Sequence, residues 1–522
     1  MGCSSAPSPQ GEASALPADV VLRALDTDTG SANPDDVTEA AEPDVGGASW
    51  DVEVPVRADS ADTAASPPTL EVWLEPNVTN PLAVWVHVSL GAPAVVRVTA
   101  WRGEAVDWQV DTAEASDTHR VAVLGLRPGA SYDVVVDTMT EAPASLALSH
   151  EAGTLASTLP PITTSVIQPE SVAPGVTAFG LQGREEPIDP TWPLYLAVNQ
   201  AGIPVWSYQD DAVDHEGVAR DIRPTADGNF ALLLRSGVRI ITPAGETVHE
   251  WLEGAALGDG YHHDALVLPS GNLLALGREV QSLNIPSLDG VFDIRGDTVR
   301  ELDPSGVELW SWSAFGHLDP NVLPGPLAQS LNQQGNYIDW THGNGLALDE
   351  ESDSVWVSLR HQNQVVQIDR ATGAVLGRFG PGGDYALTEG SWFYSQHSPE
   401  LDSAGGMLLY DNGNERADGV GGEILPKPQR YSRAVHYSLA PDSLTAEETW
   451  SYQVPEFTAF LGGVARLANG NVLVCAGGLR GASSSGLARI HEVTGEASAT
   501  LVWSLEVEGL VYRARRLTGL SQ

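Results

Sequence analysis

From Leu70 onward, apolar and polar residues alternate with period two in short runs: Leu70 to Leu74, Leu82 to Val88, Val95 to Trp101, Arg120 to Leu124 and Tyr132 to Val136. Gly91-Ala92-Pro93 and Pro128-Gly129 break them. Alternation over so few residues predicts strands with one buried face, and this spacing predicts a small β-sandwich over 66–160. From about residue 160 a longer period takes over. A strand, a polar turn, a second strand, a Gly turn and a Trp-containing strand recur. The polar turns are Asp227-Gly228-Asn229, Ser270-Gly271-Asn272 and Asn469-Gly470-Asn471, with variants at Glu351-Ser352-Asp353 and Ser403-Ala404-Gly405. Trp206, Trp251, Trp310, Trp450 and Trp503 close the units, and Phe379 closes the remaining one. Six units of about forty to sixty residues predict a six-bladed β-propeller over 161–522. The run Val511 to Arg513 is placed to pair with the first unit and close the ring. Helical periodicity is weak throughout, so the fold class is all-β.

Composition sharpens this picture at the N-terminus. Residues 1–65 are rich in Asp, Glu, Ala, Pro and Ser, with Arg23 and Arg57 as their only basic residues. Such a segment buries too little apolar surface to fold alone and is expected to be a disordered linker. Gly2-Cys3-Ser4-Ser5 ahead of it resembles the start of a mature bacterial lipoprotein. This gives the expectation of a cell-envelope or extracellular location with a lipid anchor at Cys3, the one membrane contact foreseen.

The formal net charge of −42 over 522 residues opposes phosphate backbones and anionic lipid, so nucleic acid is not an expected partner. Lys427, between two prolines, is the sole lysine, which weakens Schiff-base and P-loop readings. The two cysteines, Cys3 and Cys475, give no zinc-type pair.

Candidate chemistry centres on Asp339 to Arg360. Alternating runs flank an acidic turn there, which predicts a β-hairpin with its two ends at one sheet edge. His342, Asn344 and Arg360 are thereby brought together, a set suited to an anionic, oxygen-rich group. Aligned on their turns, the units place Arg220, His263, His342, His397 and Gly462 just before successive first strands, within a residue or two. In a propeller that position rims the central channel. Thirteen histidines scattered at random seldom recur three times at one repeat position.

Six segments then identify a resemblance: H-H-D-A-L-V-L-P-S-G-N (262–272), D-W-T-H-G-N (339–344), S-L-R-H-Q-N (358–363), Q-H-S-P-E (396–400), Y-D-N-G (410–413) and Y-S-R-A-V (431–435). In this order they resemble the bacterial arylsulfate sulfotransferases that do not use PAPS. The strand-corner segment Leu126 to Tyr132 separately resembles fibronectin type III domains. The sulfotransferase resemblance implies a six-bladed propeller behind an Ig/fibronectin-III-like sandwich. It also implies transfer of a sulfuryl group from a phenolic sulfate ester to a phenol, through a covalent histidine and with no cofactor or metal. By motif, His397 resembles the nucleophile, and His342, Asn344, Arg360 and His263 resemble the supporting residues. His262 competes with His263 for the last place. The disulfide of some members has no counterpart here.

Two rival readings carry their own expectations. His263, His342 and His397 would bind iron or zinc in a metalloenzyme propeller. A non-catalytic binding propeller would need none of these groups. Tyr261, Trp340, Trp392, Phe393 and Tyr394 flank the site and are expected mainly as core. The carboxylates Asp349, Glu350, Glu351 and Asp353 are expected as solvated turn charge. His436 has no expected role.

Overall fold

The structure is a computed structural model. It describes residues 69–182, 195–209, 219–252, 254, 260–323, 337–418, 422–479 and 486–520, and the backbone of Val20–Val21. The expected linker 1–65 and Cys3 lie outside the described residues, except that Val20–Val21 pairs antiparallel with Asp111 and Thr112. Among the described residues the secondary structure is strands and short 3-10 turns, without an α-helix. The all-β expectation holds.

Leu70 to Glu151 form two antiparallel sheets. One pairs Leu70–Pro76, Val84–Ala94 and Ser116–Val123 in order. The other orders Ala105–Thr112, Val96–Arg102, Ser131–Thr138 and Ser145–Glu151. Their inward positions share one core, including Val86, Val88, Val98, Val110, Val121 and Val134, as alternation requires. At the corner, Tyr132 Oη accepts from the Arg127 amide at 3.0 Å and donates to Asp107 at 3.0 Å.

Six further sheets follow, each with at least four strands. In the second to sixth, the first strand lies at one edge and the next three follow in chain order. Those first strands are Asp221–Pro224, Ala265–Val267, Gly343–Asp349, His397–Leu401 and Gly463–Arg466. All five polar turns seen in the sequence join a first strand to a second. The first sheet has no such turn because its edge strand comes from the far end of the chain. Leu510–Leu517 pairs antiparallel with Val176–Gln182, as expected for the run around Val511.

Each closing aromatic falls on the fourth strand of its sheet: Trp206, Trp251, Trp310, Phe379, Trp450 and Trp503. In the third sheet the fully buried position belongs to Trp312, next to a register shift at Glu301–Leu302, while Trp310 is half-buried. The apolar core is divided into clusters between successive sheets. One joins the last sheet to the first, with Leu473, Trp503 and Leu505 against Phe179, Leu181 and Leu196. The indoles repeat this sequence of contacts. Trp206 donates to Pro243 O at 2.7 Å, Trp251 to Asp303 O at 2.9 Å, and Trp503 of the last sheet to Gln200 O of the first at 2.8 Å. These three indole N–H groups each find an acceptor in the next sheet's third turn, whereas those of Trp312, Trp356 and Trp450 are buried without a partner among the described residues.

Edge strands of four sheets are tied by a buried ionic network. Arg513 Nη1 donates to Asp264 at 2.9 Å and Asp221 at 3.3 Å, and its Nη2 donates to Asn344 O at 2.9 Å. Burial alone would raise the Asp221 carboxyl, but Arg515, Arg223 and Arg513 outweigh it and hold it well below the usual range. Buried charges persist when paired in this way, and the network fixes the strands on which the candidate site stands.

Candidate active site

Four of those edge strands begin with unusual backbone. His263, His342, Ser395 and Leu461 adopt left-handed conformations, with φ of 56°, 50°, 53° and 59°. Non-glycine residues seldom hold this conformation unless their surroundings impose it, and such strain collects at functional sites. His263 and His342 thus share one local geometry. His397 lies two residues beyond its left-handed neighbour Ser395, as the first residue of its strand.

The expected hairpin is present, with Gly343–Asp349 antiparallel to Ser354–Leu359. The Arg360 amide donates to His342 O at 3.2 Å, so the two ends of the hairpin meet. The ring centroids of His263 and His342 are 5.1 Å apart. Tyr512 stands between the other pair, 6.2 Å from the His263 ring and 6.2 Å from the His397 ring. Its hydroxyl is buried and has no hydrogen-bond partner among the described residues. Asn344 joins the group from beneath. Its amide donates to Gln396 O at 2.7 Å and so fixes the backbone next to His397. The five expected residues therefore come together, with Asn344 holding main chain rather than standing free as a donor.

Hydrogen bonds fix the imidazole tautomers. Asn412 uses its amide nitrogen on Thr458 O at 3.0 Å and Leu461 O at 2.9 Å. Its Oδ1 is therefore turned to His397 Nδ1, 2.6 Å away, and must accept. His397 carries its proton on Nδ1 and keeps the Nε2 lone pair. Burial first, and then the Arg360 charge, hold His397 well below an ordinary imidazole, against the opposing Asn412 bond. It is neutral at neutral pH, as a nucleophile must be.

His263 reaches the same state by a longer route. His262 Nε2 lies 3.0 Å from Asp297 Oδ1 and 3.1 Å from Gly277 O, so it carries the proton there. Its bare Nδ1 accepts from His263 Nδ1 at 2.7 Å, leaving the His263 Nε2 lone pair. Burial and the charges of His262 and His342 hold His263 well below 6.5. This settles which of the pair faces the cluster: His263 meets His342 and Tyr512, and His262 supports it. His342 donates its Nδ1 proton to Asp339 Oδ2 at 2.6 Å, and the His361 ring lies tilted against it, centroids 4.4 Å apart, while donating to Asp339 O at 2.7 Å. His397 and His263 thus each present an Nε2 lone pair.

Arg360 supplies the positive charge. Its Nη2 donates to Ala459 O at 3.1 Å, and no described carboxylate lies within ion-pair distance. Burial draws its guanidinium below the usual range, with Glu415 and Asp339 opposing. A cation with no counter-ion, beside neutral imidazoles, is built to receive an anion.

The rival metal set is not assembled. Among the described residues the group whose donor atoms lie within 4.8 Å of one another is Asp339, His342 and His361, not His263, His342 and His397. The flanking aromatics are core: Tyr261, Trp340, Trp392, Phe393 and Tyr394 are all buried. The acidic turn is capped by its own carboxylates, with Asp349 accepting from Glu351 and Ser352 amides. His436 is turned to Asp402 and Thr449.

Asp297, Asp339 and His361 were not singled out by sequence reasoning, which gave Asn412 no role beyond a turn. Asn412 reads locally as the turn of Y-D-N-G. The signal for Asp339 and His361 lay in plain view, one to three residues from His342 and Arg360 within the matching segments.

The chain is 26% identical to arylsulfate sulfotransferase AssT of Escherichia coli O6:H1 over 299 residues, 47% of this chain and 48% of that protein. The match spans about half the length of that relative. Among solved structures, a Bacteroides caccae protein of unknown function is 14% identical with a TM-score of 0.40, covering 66% of this chain and 98% of that one. The periplasmic gluconolactonase PpgL of Pseudomonas aeruginosa is 10% identical with a TM-score of 0.35, covering 65% and 98%. Those two scores are too low to bear on the fold. The arylsulfotransferase (ASST) family model matches residues 190–513, more than half of the chain, and the chain belongs to that family.

Proposed function

We propose that this chain transfers a sulfuryl group from a phenolic sulfate ester to a phenol, without PAPS, through a covalent sulfohistidine at His397. The observation that carries the reading is the state of His397: buried, neutral, with Nδ1 tied to Asn412 and Nε2 bare. In the first half-reaction the N–S bond forms at Nε2 as the S–O bond to the aryl group breaks. His342 enters this step protonated on both nitrogens, with Asp339 against its Nδ1, and the phenolate leaves with the electron pair and takes the Nε2 proton. In the second, an acceptor phenol gives its proton to His342 as its oxygen bonds sulfur and the N–S bond breaks. Asp339, against His342 Nδ1, balances the charge when Nε2 is protonated. Arg360 offers its planar fork to the sulfuryl oxygens as charge develops on them.

The six sheets fit a six-bladed β-propeller whose ring is closed by Leu510–Leu517, and the two N-terminal sheets fit an Ig/fibronectin-III-like sandwich over 66–160. What supports the ring is the sixth-to-first core cluster and the matching Trp503 contact. An envelope location with a lipid on Cys3 rests on Gly2-Cys3-Ser4-Ser5 alone, and fatty-acid labelling tests it.

Mass spectrometry tests the chemistry. With 4-nitrophenyl sulfate and no acceptor, the protein gains one sulfuryl group on the peptide containing His397. Adding phenol removes it. An adduct elsewhere, or turnover without one, overturns the assignment.

A further inference from the structure

The third sheet carries a hairpin that outruns its own edge strand. Leu273–Ile285 pairs with Gly290–Leu302 along 13 residues, whereas Ala265–Val267 stops opposite Ala275. The His262 amide donates to Leu276 O at 3.2 Å, so the overhang leaves the sheet at the end where His263 sits. One face of the overhang is anchored. Ile285 and Ile294, with Leu283 and Phe292 beside them, pack into the cluster containing Ile338 and Trp340.

Side chains alternate across a strand, so the other face carries Arg278, Val280 and Ser282 opposite Asp297, Arg295 and Asp293. Val280 and Val291 on this face are 56% and 69% exposed. The aspartate opposite Arg278 is already committed: Asp297 serves His262, Thr341 Oγ1 and the Gly343 amide. The aspartate in register with Arg295 is Asp339, committed to His342 at 2.6 Å. Asp293, further out, accepts from Ser282. Among the described residues Arg278 has neither a hydrogen bond nor an ion pair. Arg295 has no ion pair there either, its guanidinium stacking on the Tyr337 ring at 3.6 Å. A chain with 69 acidic and 27 basic side chains has carboxylates in excess, so two guanidiniums without one beside the histidine cluster form a locally selected positive face. Burial first, and then the Arg295 charge, draw Arg278 below the usual guanidinium range against the opposing Asp297 and Asp339 carboxylates, a cost that a bound anion relieves.

We propose that Arg278 and Arg295 form a second anion subsite, selecting aryl substrates that carry a carboxylate or further sulfate besides the ester or phenol that reacts. This rests on the sulfuryl-transfer reading. Arg360 holds the reacting group and the overhang takes the second anion. A planar guanidinium suits two oxygens of either anion.

Two arms separate donor from acceptor. In one, 4-sulfooxybenzoate is compared with phenyl sulfate as donor. In the other, 4-hydroxybenzoate is compared with phenol as acceptor for 4-nitrophenyl sulfate. The parent prefers the carboxylated partner in at least one arm, and the Arg278→Gln/Arg295→Gln double variant lowers that kcat/KM ratio about tenfold or more. The loss persists at about 0.5 M salt, where long-range steering is screened. Arg278→Lys, which keeps the charge but not the fork, loses part of the preference and guards against misfolding as the cause. An unchanged ratio in the folded double variant, or a loss abolished by salt, overturns the subsite. If the parent turns over no aryl sulfate, the sulfuryl-transfer reading falls instead. Calorimetric binding of 4-sulfooxybenzoate to parent and double variant then decides the subsite alone: equal affinity, or no binding to either, overturns it.

Discussion

Asn412 holds His397 by its Nδ1, at 2.6 Å, and is itself held by the carbonyls of Thr458 and Leu461. The amide cannot rotate without losing both carbonyls, so it dictates the tautomer of His397, the proposed nucleophile. Asn412→Ala should therefore lower kcat for the donor half-reaction by about 10²-fold or more, while KM changes little. It should also lower stability by about 1–3 kcal/mol, since two buried acceptors lose their donor. Single-turnover adduct formation and urea unfolding check the two effects. A variant whose KM alone rises would assign Asn412 to substrate binding instead.

Arg360→Lys removes a planar fork and keeps a charge. Among the described residues the guanidinium gives up a single hydrogen bond, to Ala459 O, so the fold should survive. Transition-state stabilisation should fall by about 2–4 kcal/mol, the scale for one lost oxyanion donor. Activity within a factor of about two of the parent counts against the role.

The parts of the fold that were legible in the sequence are those written in local pattern. Five polar turns mark one position in the second to sixth sheets and six closing aromatics mark another in all six, because turn chemistry and outer-strand packing repeat with each unit. His342, Asn344 and Arg360 were legible as neighbours because one hairpin joins them. The tautomer of His397 was not, because it depends on Asn412, Thr458 and Leu461, which lie 15, 61 and 64 positions away in sequence. The partner of His262 was hidden likewise: Asp297 arrives across a cross-strand pairing with Arg278. Nothing in the local pattern marked that the hairpin of the third sheet would overrun its edge strand.

Acidification should weaken the fold before it removes the nucleophile. Burial is the leading cause that holds His262, His263 and His397 below 6.5 and lowers His361 to about 4. In the unfolded chain the same imidazoles take up protons near pH ~6.5. Between the folded and unfolded values the unfolded state binds more protons. Stability is thus fully present above about pH 6.5 and falls as pH drops below it. The urea midpoint should be lower at pH ~5 than at pH ~7.5. Because native His397 remains neutral, adduct formation should show no acid limb centred near ~6.5. A limb there would contradict a buried, neutral nucleophile.

Asp339, His342 and His361 admit two chemical readings, since their donor atoms also lie close enough for one metal ion. The hydrogen bonds favour the proton relay. His342 and His361 both spend Nδ1 on Asp339, one on its carboxylate and one on its carbonyl, so both Nε2 atoms remain for other work. A metal shared by the three would have to displace the 2.6 Å bond that orients His342. Asp339→Asn keeps the size and allows the opposite tautomer of His342, so it should lower kcat by about 10²–10⁴-fold. The loss should be smaller for donors with more acidic phenols, whose leaving oxygen needs less help from a proton. Prior dialysis against a chelator should leave parent turnover unchanged, and elemental analysis of the active protein should find no stoichiometric zinc or iron. Turnover that disappears on chelation and returns with one of those metals would replace the relay with a metal centre at these three residues.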